Sequence, residues 1–336
     1  MRHSPLAMSP LTAGLTALVD GVLSKPIEGL DLAEIQAGRG RVFPDRPPVS
    51  WITGGGDRAV GTTYGTAQAR DGYEIPLRIY RPRAVRDTET DVPVIVFFHG
   101  GGWVQGNVVM YDPLCTHLAR RVRAVVVSVD YRKAPEHKAP TAAYDGLDAT
   151  RWVAGHGEVL RADTRRLAVC GDSAGGNLAA VVAQEARDDE RLRLRHQALI
   201  YPAVDMTLAS PSIDEHAHAP ILTRANIHAF RAHYLADGAD PTSPLVSPLF
   251  GELAGLPPAL VQTADLDPLR DDGARYAEAL RGAGVPVRLT NYVRVPHGFA
   301  SFPGAVPMGA QHRAELVGEL RSHLYATGGD GASQPR

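Results

Sequence analysis

From residue 94 onward, six short apolar runs at 94–98, 124–129, 167–170, 198–201, 259–263 and 287–292 are separated by segments of helix length. The runs are continuous rather than alternating, so they are built for burial on both faces. Strands of that kind belong to a parallel sheet lying between helical layers, and the alternation of runs and helices predicts an α/β fold. The helical segments fall at about 113–121, 141–155, 176–187, 271–281 and 310–325. Ahead of them, Asp71-Gly72 between the strand-like stretches 62–66 and 75–80 reads as an antiparallel hairpin. The sheet is therefore expected to be mostly parallel and twisted, with an antiparallel N-terminal edge.

Two stretches do not fit the rhythm. Residues 1–50 carry weak helical patterns, one through Leu11, Leu15, Leu18, Val19 and Val22, and precede any strand signal, which makes them an arm over the sheet. The interval from Tyr201 to Ala259 is too long for an ordinary crossover and holds one clear helix, 224–235, among proline-rich loops; it reads as an inserted lid. The expected division is an arm at 1–50, a catalytic core at 51–204 and 251–326, an insertion at 205–250 and a disordered tail at 327–336. A formal net charge of −2 excludes a basic nucleic-acid surface, and no apolar run is long enough to span a membrane. No signal peptide is read at the N-terminus. Cys115 and Cys170 make no disulfide framework, which points to a reducing, cytoplasmic setting.

One strand-to-helix junction carries chemistry. The run Leu167-Ala168-Val169-Cys170 passes into Gly171-Asp172-Ser173-Ala174-Gly175-Gly176 and then into a helix-forming segment. Gly-x-Ser-x-Gly in that setting is a nucleophile elbow, whose glycines allow strand and helix to approach closely while the serine takes a strained backbone conformation. A serine hydroxyl needs a base within hydrogen-bond reach and a carboxylate to hold that base in the right tautomer. In hydrolases built on such an elbow these partners follow the serine in the chain, acid before histidine. Of the 13 histidines, His297 lies in a loop just past a strand, where chemistry gathers in an open parallel sheet. The acid leaves the strand at 259–263, and spacing leaves Asp265 and Asp267 both open. The first apolar run ends in His99-Gly100-Gly101-Gly102-Trp103, a glycine loop whose bare N–H groups suit an oxyanion; Gly101, Gly102 and Ala174 are the expected donors. The same glycines lack the Gly-Lys-Ser/Thr of a phosphate loop.

The motifs His99-Gly-Gly-Gly-Trp, Asp130-Tyr-Arg-Lys-Ala-Pro-Glu-His137, Gly171-Asp-Ser-Ala-Gly-Gly, Asp267-Pro-Leu-Arg-Asp and His297-Gly-Phe, in this order, resemble the hormone-sensitive-lipase-like carboxylesterases, bacterial family IV. The resemblance runs from about residue 60 to 325. It implies an α/β-hydrolase fold with a helical cap formed by the N-terminal arm and the insertion after the sixth strand. It also implies that the acid is Asp267, completing a triad with Ser173 and His297, and that short- to medium-chain acyl esters are cleaved through an acyl-enzyme. No cofactor is implied, and a homodimer through a sheet edge is the assembly it allows. The family usually has Leu where Lys133 stands, and often Pro-Gly where Val293-Arg294 stand.

Trp103, Tyr201 and Phe299 are the expected wall of the substrate pocket, with Phe230 and Tyr234 as further aromatics. Asp214-Glu215-His216-Ala217-His218 lacks the spacing of a metal site, and none is expected there. A deacetylase or amidase would use the same triad. A non-catalytic small-molecule receptor on the same fold is the reading from another class, and it could dispense with the base.

Overall fold

The computed structural model describes residues 8–23, 26–86 and 88–326; the tail expected at 327–336 lies outside them. An eight-stranded sheet runs in the order β1-β2-β4-β3-β5-β6-β7-β8. Its strands are β1 (Val60–Gln68), β2 (Glu74–Pro82), β3 (Val94–Phe98), β4 (Val125–Val129), β5 (Leu167–Asp172), β6 (Leu194–Ile200), β7 (Ala259–Leu266) and β8 (Val287–Pro296). β1 and β2 pair antiparallel and β2 meets β4 antiparallel, while every pair from β4 to β8 is parallel. This is the mostly parallel α/β sheet expected from the six apolar runs, with its antiparallel N-terminal edge, and it agrees with the α/β-hydrolase fold that the resemblance implies.

The main helices are α1 (Pro10–Leu18), α2 (Leu32–Arg39), α3 (Asp112–Leu118), α4 (Thr141–Gly155), α5 (Ala174–Arg187), α6 (Arg224–Tyr234), α7 (Arg270–Gly282) and α8 (Gly309–Leu324). Successive strand residues point to opposite faces of the sheet, and the core divides accordingly. Val94, Val96 and Phe98 of β3 join Val127, Val169 and Val261 in the layer that includes Leu147 of α4, Leu178 of α5 and Leu280 of α7. Ile95 and Phe97 join Val126, Cys170 and Leu260 in the layer that includes Leu114 of α3 and Leu316 of α8. Every residue of β3 and β4 is buried, which explains why these runs read as continuously apolar.

The hairpin is longer than the sequence suggested. Gln68 pairs with Glu74, and Ala69 N–H closes the turn on the Tyr73 carbonyl. β6 ends at Ile200, leaving Tyr201 beyond the strand at φ +37°. No helix among the described residues is long and apolar enough to cross a membrane.

Candidate active site

Asp172 closes β5, Ser173 stands at φ 55°, ψ −119°, and α5 begins at Ala174. A non-glycine residue in this region stores of order 1–3 kcal/mol, which the surroundings must hold. They do so through short contacts that exclude side chains. A Cβ on Gly171 would run into the carbonyl of Gly175, and one on Gly175 into the carbonyl of Phe98. Ser173 N–H donates to Ile200 O at 2.8 Å, tying the elbow to the neighbouring strand.

His297 follows β8 at once and presents Nε2 2.9 Å from Ser173 Oγ. Its Nδ1 lies 2.7 Å from Asp267 Oδ2. The carboxylate accepts, so Nδ1 carries the proton and Nε2 is left to accept from the serine hydroxyl. Asp267 is fully buried, and its Oδ1 accepts from Leu269 N–H at 2.8 Å, as a cap at the start of the following turn. Asp265, the alternative acid, is half-buried and accepts from Arg294 N–H at 3.4 Å instead. Arg294 holds φ +64°, a left-handed conformation that favours glycine.

The glycine loop after β3 faces the elbow. Gly101 and Gly102 take φ of 120° and 61°. A Cβ on Gly102 would enter the ring of Phe230 from α6. The N–H groups of Gly101, Gly102 and Ala174 donate to no acceptor among the described residues, and all three residues line one cavity with Ser173 and His297. The loop is anchored from below. Gly100 N–H donates to Asp172 Oδ1 at 2.8 Å, Tyr111 Oη donates to Asp172 Oδ2 at 3.0 Å, and His99 Nδ1–H donates to its neighbour's carbonyl, Gly100 O, at 2.8 Å. Burial lowers the pKa of His99, keeping it neutral in this bracing role. Lys133 pairs with Asp130 at 2.5 Å beside it. Arg39 of α2 reaches across from the arm, donating to Val104 O at 2.9 Å and Ala134 O at 2.7 Å while pairing with Glu136.

Asp172 is buried, and burial pushes its pKa up to about 6 against the hydrogen bond from Tyr111. Its two oxygens are committed to Gly100, Tyr111 and, at 3.4 Å, Tyr201. Asp172→Asn keeps the acceptor for Gly100 and is expected to retain kcat within about tenfold, whereas Asp172→Ala, which releases the loop, should lose about a hundredfold, the scale of one oxyanion donor. Steady-state hydrolysis of a 4-nitrophenyl ester by both variants checks this. A loss in Asp172→Asn as large as that of Ser173→Ala would instead give Asp172 a direct part in the chemistry.

The cavity over Ser173 has a volume of about 930 Å³. Its walls combine the arm (Leu15, Leu18, Phe43), the insertion (Leu208, Leu222, Phe230) and the core. Trp103 lines it and stacks on Tyr234 at 4.3 Å. Tyr201 and Phe299 do not line it, a correction to the expected wall. Both are fully buried behind the catalytic histidine candidate, with Tyr201 centred 4.6 Å from the His297 ring and 5.3 Å from Phe299. Aromatics beside a strand end can face the ligand or the core, and here the core takes them. The arm residues and Arg231 were missed; α6 did show Ile227 and Phe230 at i, i+3, a stripe that signals a covered face.

In the Asp214–His218 stretch the acids are taken by arginines, Asp214 by Arg224 and Glu215 by Arg270. Among the described residues, the group His196, Glu319 and His323 has ligand atoms within reach of one another. The two rings stack 4.2 Å apart and 15° from parallel, so their in-plane lone pairs do not converge, and Arg288 pairs with Glu319.

The family model described as alpha/beta hydrolase fold matches residues 95–301. Carboxylesterase NlhH of Mycobacterium tuberculosis is 45% identical over 75% of this chain and 80% of its own length. The ethyl acetate hydrolase of Pseudomonas putida is 37% identical over 76% of this chain and 80% of its own. Among solved structures, the hyperthermophilic esterase of Pyrobaculum calidifontis superposes with a TM-score of 0.80 at 37% identity, covering 94% of this chain and 99% of that one.

Proposed function

Because this chain belongs to the hormone-sensitive-lipase-like branch, bacterial family IV, of the α/β-hydrolases, we propose that it is a serine carboxylesterase acting on short- to medium-chain acyl esters. The observation that carries the reading is the continuous relay from Ser173 Oγ through His297 to Asp267, at 2.9 and 2.7 Å, beneath three uncommitted N–H groups. Ser173 Oγ attacks the ester carbonyl as His297 Nε2 takes its proton. The developing oxyanion receives the N–H groups of Gly101, Gly102 and Ala174, each such donor being worth about 3 kcal/mol in the transition state. His297 then gives the proton to the leaving alcohol, and water repeats the sequence on the acyl-enzyme. Asp267 orients the imidazole throughout by accepting from its Nδ1 side.

The arm and the insertion form the cap over this site, and the arm's contribution extends through Ile52 and Thr53, which line the cavity. Buried, unpaired Cys115 and Cys170 support a cytoplasmic setting. β8 has one side without a strand neighbour among the described residues, an edge that a second copy could extend into a homodimer.

Fluorophosphonate labelling is expected to modify Ser173 stoichiometrically and to abolish hydrolysis of 4-nitrophenyl acetate, butyrate and octanoate, with the highest kcat/KM at or below the medium-chain member. An unlabelled serine with no turnover of any chain length would leave a receptor as the better reading.

A further inference from the structure

The cavity over Ser173 is apolar over most of its wall, yet α6 places an arginine in it. Arg231 is half-buried, lines the cavity one residue after Phe230, and its Nε donates to Met206 O at 2.7 Å. That bond fixes the plane of the guanidinium and leaves the Nη edge uncommitted: no carboxylate pairs with Arg231 among the described residues. The other ionisable side chains on the wall include Arg41, His297 and Asp172, and the Asp172 oxygens are taken by Gly100 and Tyr111. The wall thus presents the Arg231 guanidinium with no carboxylate opposite it among the described residues, the one carboxylate on the wall being committed elsewhere.

A carboxylate drawn into such a cavity loses its hydration, and the loss is prohibitive unless a partner replaces it. A planar guanidinium already held by its Nε is the donor suited to that exchange, since it offers paired N–H groups at little further ordering cost. A neutral ester offers it at most an uncharged acceptor, without the charge-assisted paired contact that a carboxylate makes. α6 is seated firmly enough to serve as a fixed point, with Thr223 and Asn226 forming a capping box at its start and Phe230 resting on Gly102 of the glycine loop.

We propose that Arg231 is a substrate-binding residue that receives a carboxylate carried by the substrate away from its scissile ester, so that either half-esters of dicarboxylic acids or acyl esters of hydroxy acids are preferred over their neutral counterparts. This rests on the carboxylesterase reading and deepens it by naming the substrate's second functional group.

The test compares kcat/KM within each enzyme for an anionic and a neutral partner. Mono(4-nitrophenyl) adipate against 4-nitrophenyl hexanoate places the charge on the acyl side, and 3-acetoxybenzoate against phenyl acetate places it on the alcohol side. The wild type is expected to favour the anion in one pair, and the pair that responds identifies the side. Arg231→Gln should cut that preference about tenfold, chiefly through KM, with Arg231→Lys recovering part of it and 0.5 M NaCl weakening it in the wild type. Each ratio is internal to one enzyme, so a partly misfolded variant lowers both members and leaves the ratio intact. An anion-to-neutral ratio that is the same in wild type and Arg231→Gln, with neutral esters still turned over by the wild type, overturns the inference alone. Failure of the wild type to hydrolyse even the neutral esters overturns the carboxylesterase reading and the inference with it.

Discussion

Ser173→Ala is expected to lower kcat for a 4-nitrophenyl ester by about five to six orders of magnitude, down to a residue of catalysis from the oxyanion donors and binding alone, as serine hydrolases lose when the nucleophile is removed. The physical case rests on the elbow. Ser173 Oγ is the one group of the cavity that is hydrogen-bonded to His297 Nε2, so removing it leaves the base with nothing to deprotonate but water. The substitution should leave the fold in place. Alanine occupies φ 55° at a cost similar to serine, and the constraints at the elbow act through Gly171, Gly175 and the Ser173 N–H, none of which the change removes. Single-turnover and steady-state assays check the loss, with thermal unfolding as control. Retention of even a hundredth of the wild-type rate would remove Ser173 from the chemistry.

Asp267→Asn is expected to cost about four orders of magnitude in kcat, and the direction follows from two hydrogen bonds. Oδ1 of Asp267 accepts from Leu269 N–H, so an asparagine there must keep its amide oxygen on that side and turn its NH₂ toward His297 Nδ1. Nδ1 then accepts, the ring proton moves to Nε2, and Nε2 can no longer receive the proton of Ser173. The cap at Leu269 survives, so stability should change little while the tautomer inverts. Two-dimensional NMR of the imidazole nitrogens would show the proton on Nε2 in the variant and on Nδ1 in the wild type. An Asp267→Asn enzyme with near-normal kcat would assign the orienting role elsewhere.

Much of this was legible in the sequence because burial on both faces leaves a plain mark. The runs that became β3 to β8 are apolar at most positions that the helical layers cover, with Ser128, Gln262 and Thr263 as buried polar exceptions, and the elbow motif sits where β5 meets α5. The choice between Asp265 and Asp267 was not legible from spacing. Both leave the same strand, and their directions are separated by a register irregularity between Ala264 and Leu266 that no local pattern encodes. The cavity wall was the least legible part. Tyr201 and Phe299 turn inward to support His297, while the arm supplies Leu15, Leu18 and Phe43 from a region of weak periodicity. Which side of a strand end an aromatic faces depends on what other segments arrive there.

Arg39 binds the arm to Val104 and Ala134 in the body of the chain, and Asp20 accepts Ile221 N–H from the insertion. The covering layer is therefore stitched from two distant stretches of chain that also hold each other. For recombination between relatives, this makes residues 8–53 and 205–250 one unit of inheritance despite their separation in the gene. A crossover between them would part Asp20 from the insertion whose backbone amide it caps, and one placed before residue 104 would also part Arg39 from the strand-end loops it clasps.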